Sequence, residues 1–283
     1  MDDRLRPLWD FDDLDATEKR MREQLEGETS AAGRAEVLTQ LARVRGLRGD
    51  FVTGDALLDE VAATEGRTPV VSARLDLERG RLRRSDGDPS AARPLFESAF
   101  EQALEERQYF VAADAAHMVA LVATDRDDVV GWTRRGLELA ELHDGASYWL
   151  GPLFNNLGWE YYEAGELEPA LDAFERALEA RERDPENAAA IEIARFAVGK
   201  TLRGLGRAGE AIPLLERGTA WAQAEGAPDG WFHEELAEEY AEVGRADEAR
   251  QQARRAIPLL ERDDPSFVDD ASRRARLVSL ADG

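Results

Sequence analysis

The 283 residues carry 36 basic and 59 acidic side chains, a net charge of −23, with 43% hydrophobic residues and no cysteine. An acid excess on this scale argues against nucleic acid and anionic membrane as main partners, because phosphate binding runs on Lys and Arg that release counterions. Disulfides and Cys-based zinc sites are excluded, strand-forming clusters are almost absent, and no apolar run approaches the ~20 residues of a membrane span. The first ten residues hold no apolar core of signal-peptide length, so a soluble, cytoplasmic protein is expected.

In chain order, Asp13 to Glu26 predicts a helix with Leu14, Met21 and Leu25 on one face, preceded by Pro7 and Trp9. The run Trp9-Asp10-Phe11-Asp12-Asp13-Leu14 mixes aromatics with acid, as a partner-binding or groove-occluding segment does. A recurring frame then sets in. From Ala35 it supplies Leu41, Ala42, Gly49, Leu58 and Val61; from Ala73 it supplies Gly80, Gly87, Ala92, Phe96 and Ala99. The unit from Tyr109 keeps only Ala116, Val119 and Trp132. The fullest unit starts at Gly151, with Phe154, Leu157, Gly158, Tyr161, Gly165, Ala170, Phe174, Ala177 and then Pro185. From Glu192 come Gly199, Leu202, Gly206, Ala211 and Leu215; from Gly230 come Leu236, Ala237, Tyr240, Gly244, Ala249 and Ala256. Turn signals fall at or near one offset throughout: Gly49-Asp50, Asp86-Gly87-Asp88, Gly165-Glu166, Gly206-Arg207 and Gly244-Arg245. Pro265 to Ala281 predicts a last helix, with Phe267, Leu277 and Leu280.

The unit from Gly151 resembles the tetratricopeptide repeat: small residues let two antiparallel helices approach closely, and large ones fill the gaps. The starts at 35, 73, 109, 151, 192 and 230 are 36 to 42 residues apart, longer than the family's ~34, so these are extended repeats. The resemblance implies an all-α, right-handed superhelical α-solenoid of about six antiparallel helix pairs. Residues 1–34 form an N-terminal segment and capping helix, 35–264 the six pairs and 265–283 a C-terminal cap, since stacked repeats need covered ends.

Little points to catalysis. The three histidines, His117, His143 and His233, are far apart in sequence and form no metal-binding pair. No nucleophile-elbow pattern occurs, and the many carboxylates single out no acid–base couple. The segment from Ala194 to Thr201, ending in Gly199-Lys200-Thr201, nearly fits a phosphate-binding loop but has Ala for its first Gly. It lies inside a predicted helix, where Gly199 is the small residue the repeat requires. No cofactor or metal is expected.

In tetratricopeptide domains the first helix of each pair lines a concave groove. The resemblance places Asn155, Asn156, Trp159, Tyr162 and Glu163 there in the fullest unit, amides for a peptide backbone beside amphipathic rings. The same offsets elsewhere hold Arg43, Arg74, Arg81 and Arg84, then Asp114 and His117, and then Phe196, Lys200 and Arg203. In the last unit they hold Trp231, Glu234, Glu235, Glu238 and Glu242, so the expected groove runs from Arg-rich to acidic. Simple solvated helix surface is the competing reading of these positions. The expectation is a non-enzymatic scaffold for a protein or peptide partner, with neither nucleic acid nor membrane. A ligand-responsive sensor and self-association through the end caps are the alternatives.

Overall fold

A computed structural model describes residues 3–184 and 187–283; Pro185, the closing position of the fullest repeat, lies outside the described residues. Among these there are fifteen α-helices and no strand, so the all-α repeat fold is confirmed. The chain divides into two compact units, Met1–Leu153 and Phe154–Gly283.

In the first unit, α1 (Leu14–Gly27) precedes three helix pairs: α2 (Ala31–Leu47) with α3 (Phe51–Ala63), α4 (Pro69–Ser85) with α5 (Pro89–Glu105), and α6 (Tyr109–Ala120) with α7 (Arg126–Leu142). A 3₁₀ segment, Asp144–Trp149, leads into α8 (Leu150–Glu163), and the division between the units falls within that helix. The second unit continues with α9 (Leu167–Glu182), α10 (Ala188–Gly204), α11 (Ala208–Ala224), α12 (Gly230–Glu242) and α13 (Ala246–Asp263). Two helices, α14 (Pro265–Asp269) and α15 (Ala271–Asp282), replace the single C-terminal helix expected. Asp270 interrupts it. Its carboxylate accepts from the backbone N–H groups of Ser272 (3.1 Å) and Arg273 (2.9 Å), capping a new helix.

The helix starts explain part of the acid excess. Asp13, Asp50, Asp88, Asp125, Asp229 and Asp264 each cap a helix through the side chain, satisfying orphan N–H groups and meeting the positive end of the helix dipole. The helix ends are just as regular. Gly49, Gly87, Gly165, Gly206 and Gly244 all lie at φ between 69° and 90°. In each turn the following residue donates to the carbonyl five positions back, as in Asp50 to Arg45 (2.9 Å) and Glu166 to Tyr161 (2.9 Å). The same double-bonded cap closes α5, where Gln108 donates to Ala103 (2.8 Å) and Arg107 to Leu104 (3.1 Å). There the left-handed position is filled by Arg107, at φ 57°. This is why the turn before the weakest repeat left no signal in the sequence.

Within pairs, helices approach through glycine. A Cβ on Gly158 would stand 2.5 Å from the Phe174 ring, and one on Gly80 would stand 2.5 Å from that of Phe96. Both phenylalanines are fully buried. We expect Gly158→Ala to lower stability by about 1–3 kcal/mol despite the better helix propensity of Ala, because the backbone-to-ring contact cannot accept a methyl group. Arg107→Gly, which relieves a left-handed L-residue, should raise stability by about 0.5–1 kcal/mol. Denaturant midpoints at unchanged slope check both.

Candidate interaction site

First helices of successive pairs adjoin: α2 packs on α4 and α4 on α6 in the first unit, and α10 on α12 in the second. Each unit therefore presents its own face of first helices, bearing the residues singled out by offset.

In the first unit, Arg81 donates to Glu78 of its own helix (2.7 Å) and to Asp114 of the next repeat. Burial alone would lower its pKa, but the two carboxylates outweigh this and raise it above the usual arginine range. Arg84 is exposed at the rim of a cavity of about 200 Å³ whose wall includes Arg43, Arg81 and Met118. His117 packs 5.3 Å from the Trp149 ring, and its Nδ1 is buried without a hydrogen-bond partner. Burial, with Arg81, Arg84 and Arg43 nearby, pushes its pKa down to about 4 against the pull of Asp114, so the imidazole is neutral at pH 7. Arg74, by contrast, is structural: it is buried and bonded to Asp3 (2.6 Å) and Glu36 (3.1 Å).

The N-terminal residues lie on this face. Trp9 Nε1 donates to Gln40 (3.0 Å), and its ring stacks on Phe11 with 4.9 Å between centroids. Arg43 covers both rings, at 5.0 and 5.3 Å, and Arg6 lies 5.4 Å from Phe11 and 4.6 Å from Tyr148. Arg6, Tyr148 and Trp149 escaped the offset reading because they belong to no repeat. The one signal was the 42-residue step between the starts at 109 and 151, which accommodates the 3₁₀ segment.

In the second unit, Asn155 and Asn156 are half-buried on α8, and Asn155 Oδ1 is buried with no donor. Trp159 and Tyr162 are half-buried in the same helix, with rings 5.5 Å apart, and Trp159 also meets Phe174 edge-on at 5.0 Å. Phe196 packs against Phe232 at 5.3 Å. Lys200 and Arg203 do not point free into solvent. Both bind Glu235 of the next repeat, a carboxylate 2% exposed. Burial would raise the Glu235 pKa, and the two cations overcome it and hold it low. The segment Ala194 to Thr201 is helical throughout, with Gly199 packed against Leu215 rather than wrapped around an anion. Beyond Glu235 lies Glu239, fully buried, with neither carboxylate oxygen hydrogen-bonded. Burial, reinforced by Glu242 and Glu235 against the opposing Arg203, pushes its pKa up to about 7.

Residues 153–183 match the tetratricopeptide repeat family. No curated protein matches the chain. Similar solved structures include the apo form of RapI, 11% identical over 94% of this chain and 79% of that one with a TM-score of 0.69. BtubC from P. vanneervenii is 19% identical over 80% and 93% of the two chains, with a TM-score of 0.61. A Rap protein complexed with competence and sporulation factor is 16% identical over 95% and 82%, with a TM-score of 0.58. These likenesses concern the fold. One repeat, residues 153–183, carries the family's sequence pattern, and the remainder of the chain is similar to these structures in fold.

Glu239 makes folding depend on pH. Its folded-state pKa lies above the ordinary Glu value, so its neutral form favours the fold in acid. That contribution is lost as pH rises through about 7. The stability of Glu239→Gln relative to wild type should therefore rise by about 1–2 kcal/mol between pH 5 and pH 8, measured by urea unfolding across the range.

Proposed function

We propose that this chain is a non-catalytic, cytoplasmic scaffold that binds a peptide or protein segment on its first-helix faces. In the second unit, Asn155 and Asn156 pair with peptide amides while Trp159 and Tyr162 supply apolar contact area. The observation that carries this reading is Asn155 Oδ1, an acceptor out of contact with water and lacking any donor. Such a group costs about 1–3 kcal/mol unless a donor arrives, and a peptide N–H is the donor this fold suits. The neighbouring Rap structure solved with competence and sporulation factor supports the reading by fold alone.

Lys200, Arg203 and Arg81 enter this proposal as organisers rather than as direct charge contacts, since carboxylates of the scaffold already hold them. Phe196 extends the apolar floor. Arg84 and His117 belong to the first unit's face.

The test is affinity capture from native extract with wild type and the Asn155→Ala/Asn156→Ala double variant. The variant should lose its partners while keeping its helical spectrum. Equal recovery of the same partners from both proteins would overturn the assignment.

A further inference from the structure

Many arginines of the first unit are held by carboxylates. Arg4, Arg74, Arg81 and Arg93 each lie within 4.0 Å of at least one acid. Arg6, Arg43 and Arg84 meet none among the described residues, although the chain carries 59 acidic side chains against 36 basic ones. The Nε groups of Arg6 and Arg43 are buried with no hydrogen-bond partner, as is the indole N–H of Trp149.

These groups form one neighbourhood. Arg43 and Arg84 line the same cavity of about 200 Å³. Phe11 lies within 5.4 Å of both Arg43 and Arg6, and Tyr148 joins Arg6 to Trp149, at 4.6 and 5.3 Å. Arg43 lies near the carboxylates of Glu78 and Asp114, but both are already bound by Arg81. Burial and the neighbouring Arg81 hold the Arg43 pKa below the usual range. That is the mark of a cation whose solvation has not been replaced. The negative end of the α4 dipole accounts for Arg84 in its last turn, but nothing gives a partner to the orphaned Nε of Arg43.

We infer that this face is an oxyanion site, in which Arg43, Arg84 and Arg6 receive a carboxylate or phosphate group. The aromatic walls favour an anion carried beside apolar surface over a fully hydrated one, and the planar guanidinium fork matches either oxyanion in bidentate fashion. Phe11, exposed at 45% and stacked over two of the three arginines, covers the site and moves aside when it fills. The inference rests on the interaction reading above and names the chemistry of a second contact. It uses no residue of the second unit, so each assignment can fail without the other.

Isothermal titration calorimetry of the full chain with a synthetic oligoglutamate peptide, the matching oligoglutamine peptide and inorganic phosphate tests it. Saturable binding of the glutamate peptide alone assigns the oxyanion to a peptide side chain. Binding of phosphate that competes with the peptide assigns it to a free ion. In either case Arg84→Gln, a change at an exposed rim position that leaves the fold intact, should weaken binding by about tenfold or more, the worth of one charged hydrogen bond. Absence of binding in both anion arms overturns the site, as does equal binding by the glutamine peptide or by Arg84→Gln.

Discussion

The structure depends on how closely two helices can approach where one of them has no side chain. At Gly80 and Gly158 the ring of a fully buried Phe rests on the backbone of the partner helix, 2.5 Å from where a Cβ would be. That contact fixes the separation and register of a pair. With pairs so fixed, first helices meet first helices along each unit, and the side chains between them share one face. The candidate contacts with a partner are set, in the end, by two hydrogens on a Cα.

Charge organises the next level. Arg74 with Glu36, Arg81 with Asp114 and Lys200 with Glu235 join residues 33 to 38 positions apart, one repeat to its neighbour, and Arg273 with Glu234 joins the C-terminal helix to the last repeat. Several of these carboxylates are nearly inaccessible to water. Buried pairs of this kind add little net stability over apolar packing, but breaking one strands a charge at a cost of several kcal/mol. They therefore specify which repeat follows which. The acidic composition has two structural uses, in helix caps and in these cross-repeat bonds, and neither involves a partner.

Much of the fold was legible because helix pairing needs small residues and positive-φ turns at fixed offsets, and both leave marks in a sequence. Gly165 and Gly206 announce their turns; Arg107 adopts the same backbone and announces nothing. Asp270 hid a helix break because a capping Asp and an ordinary surface Asp look alike. The candidate site was read less well. Offsets placed Lys200, Arg203 and Arg81 on the expected face, but no offset tells a cation awaiting a ligand from one already bound to the adjacent repeat. Phe11 and Tyr148 lie outside the repeats, and their proximity to Arg6 and Arg43 is a property of folded space alone.

The pairing of Glu235 with both Lys200 and Arg203 bears on how such an array can evolve. A tandem array invites growth by duplication, each new copy inserted between existing ones. Here an extra repeat between α11 and α12 would carry Glu235 away from both of its cations and leave a carboxylate that is 2% exposed to find new ones. The repeats are thus no longer interchangeable modules. Their order is written into the seams, and the number of repeats is held by chemistry at the joints as much as by any demand from a ligand.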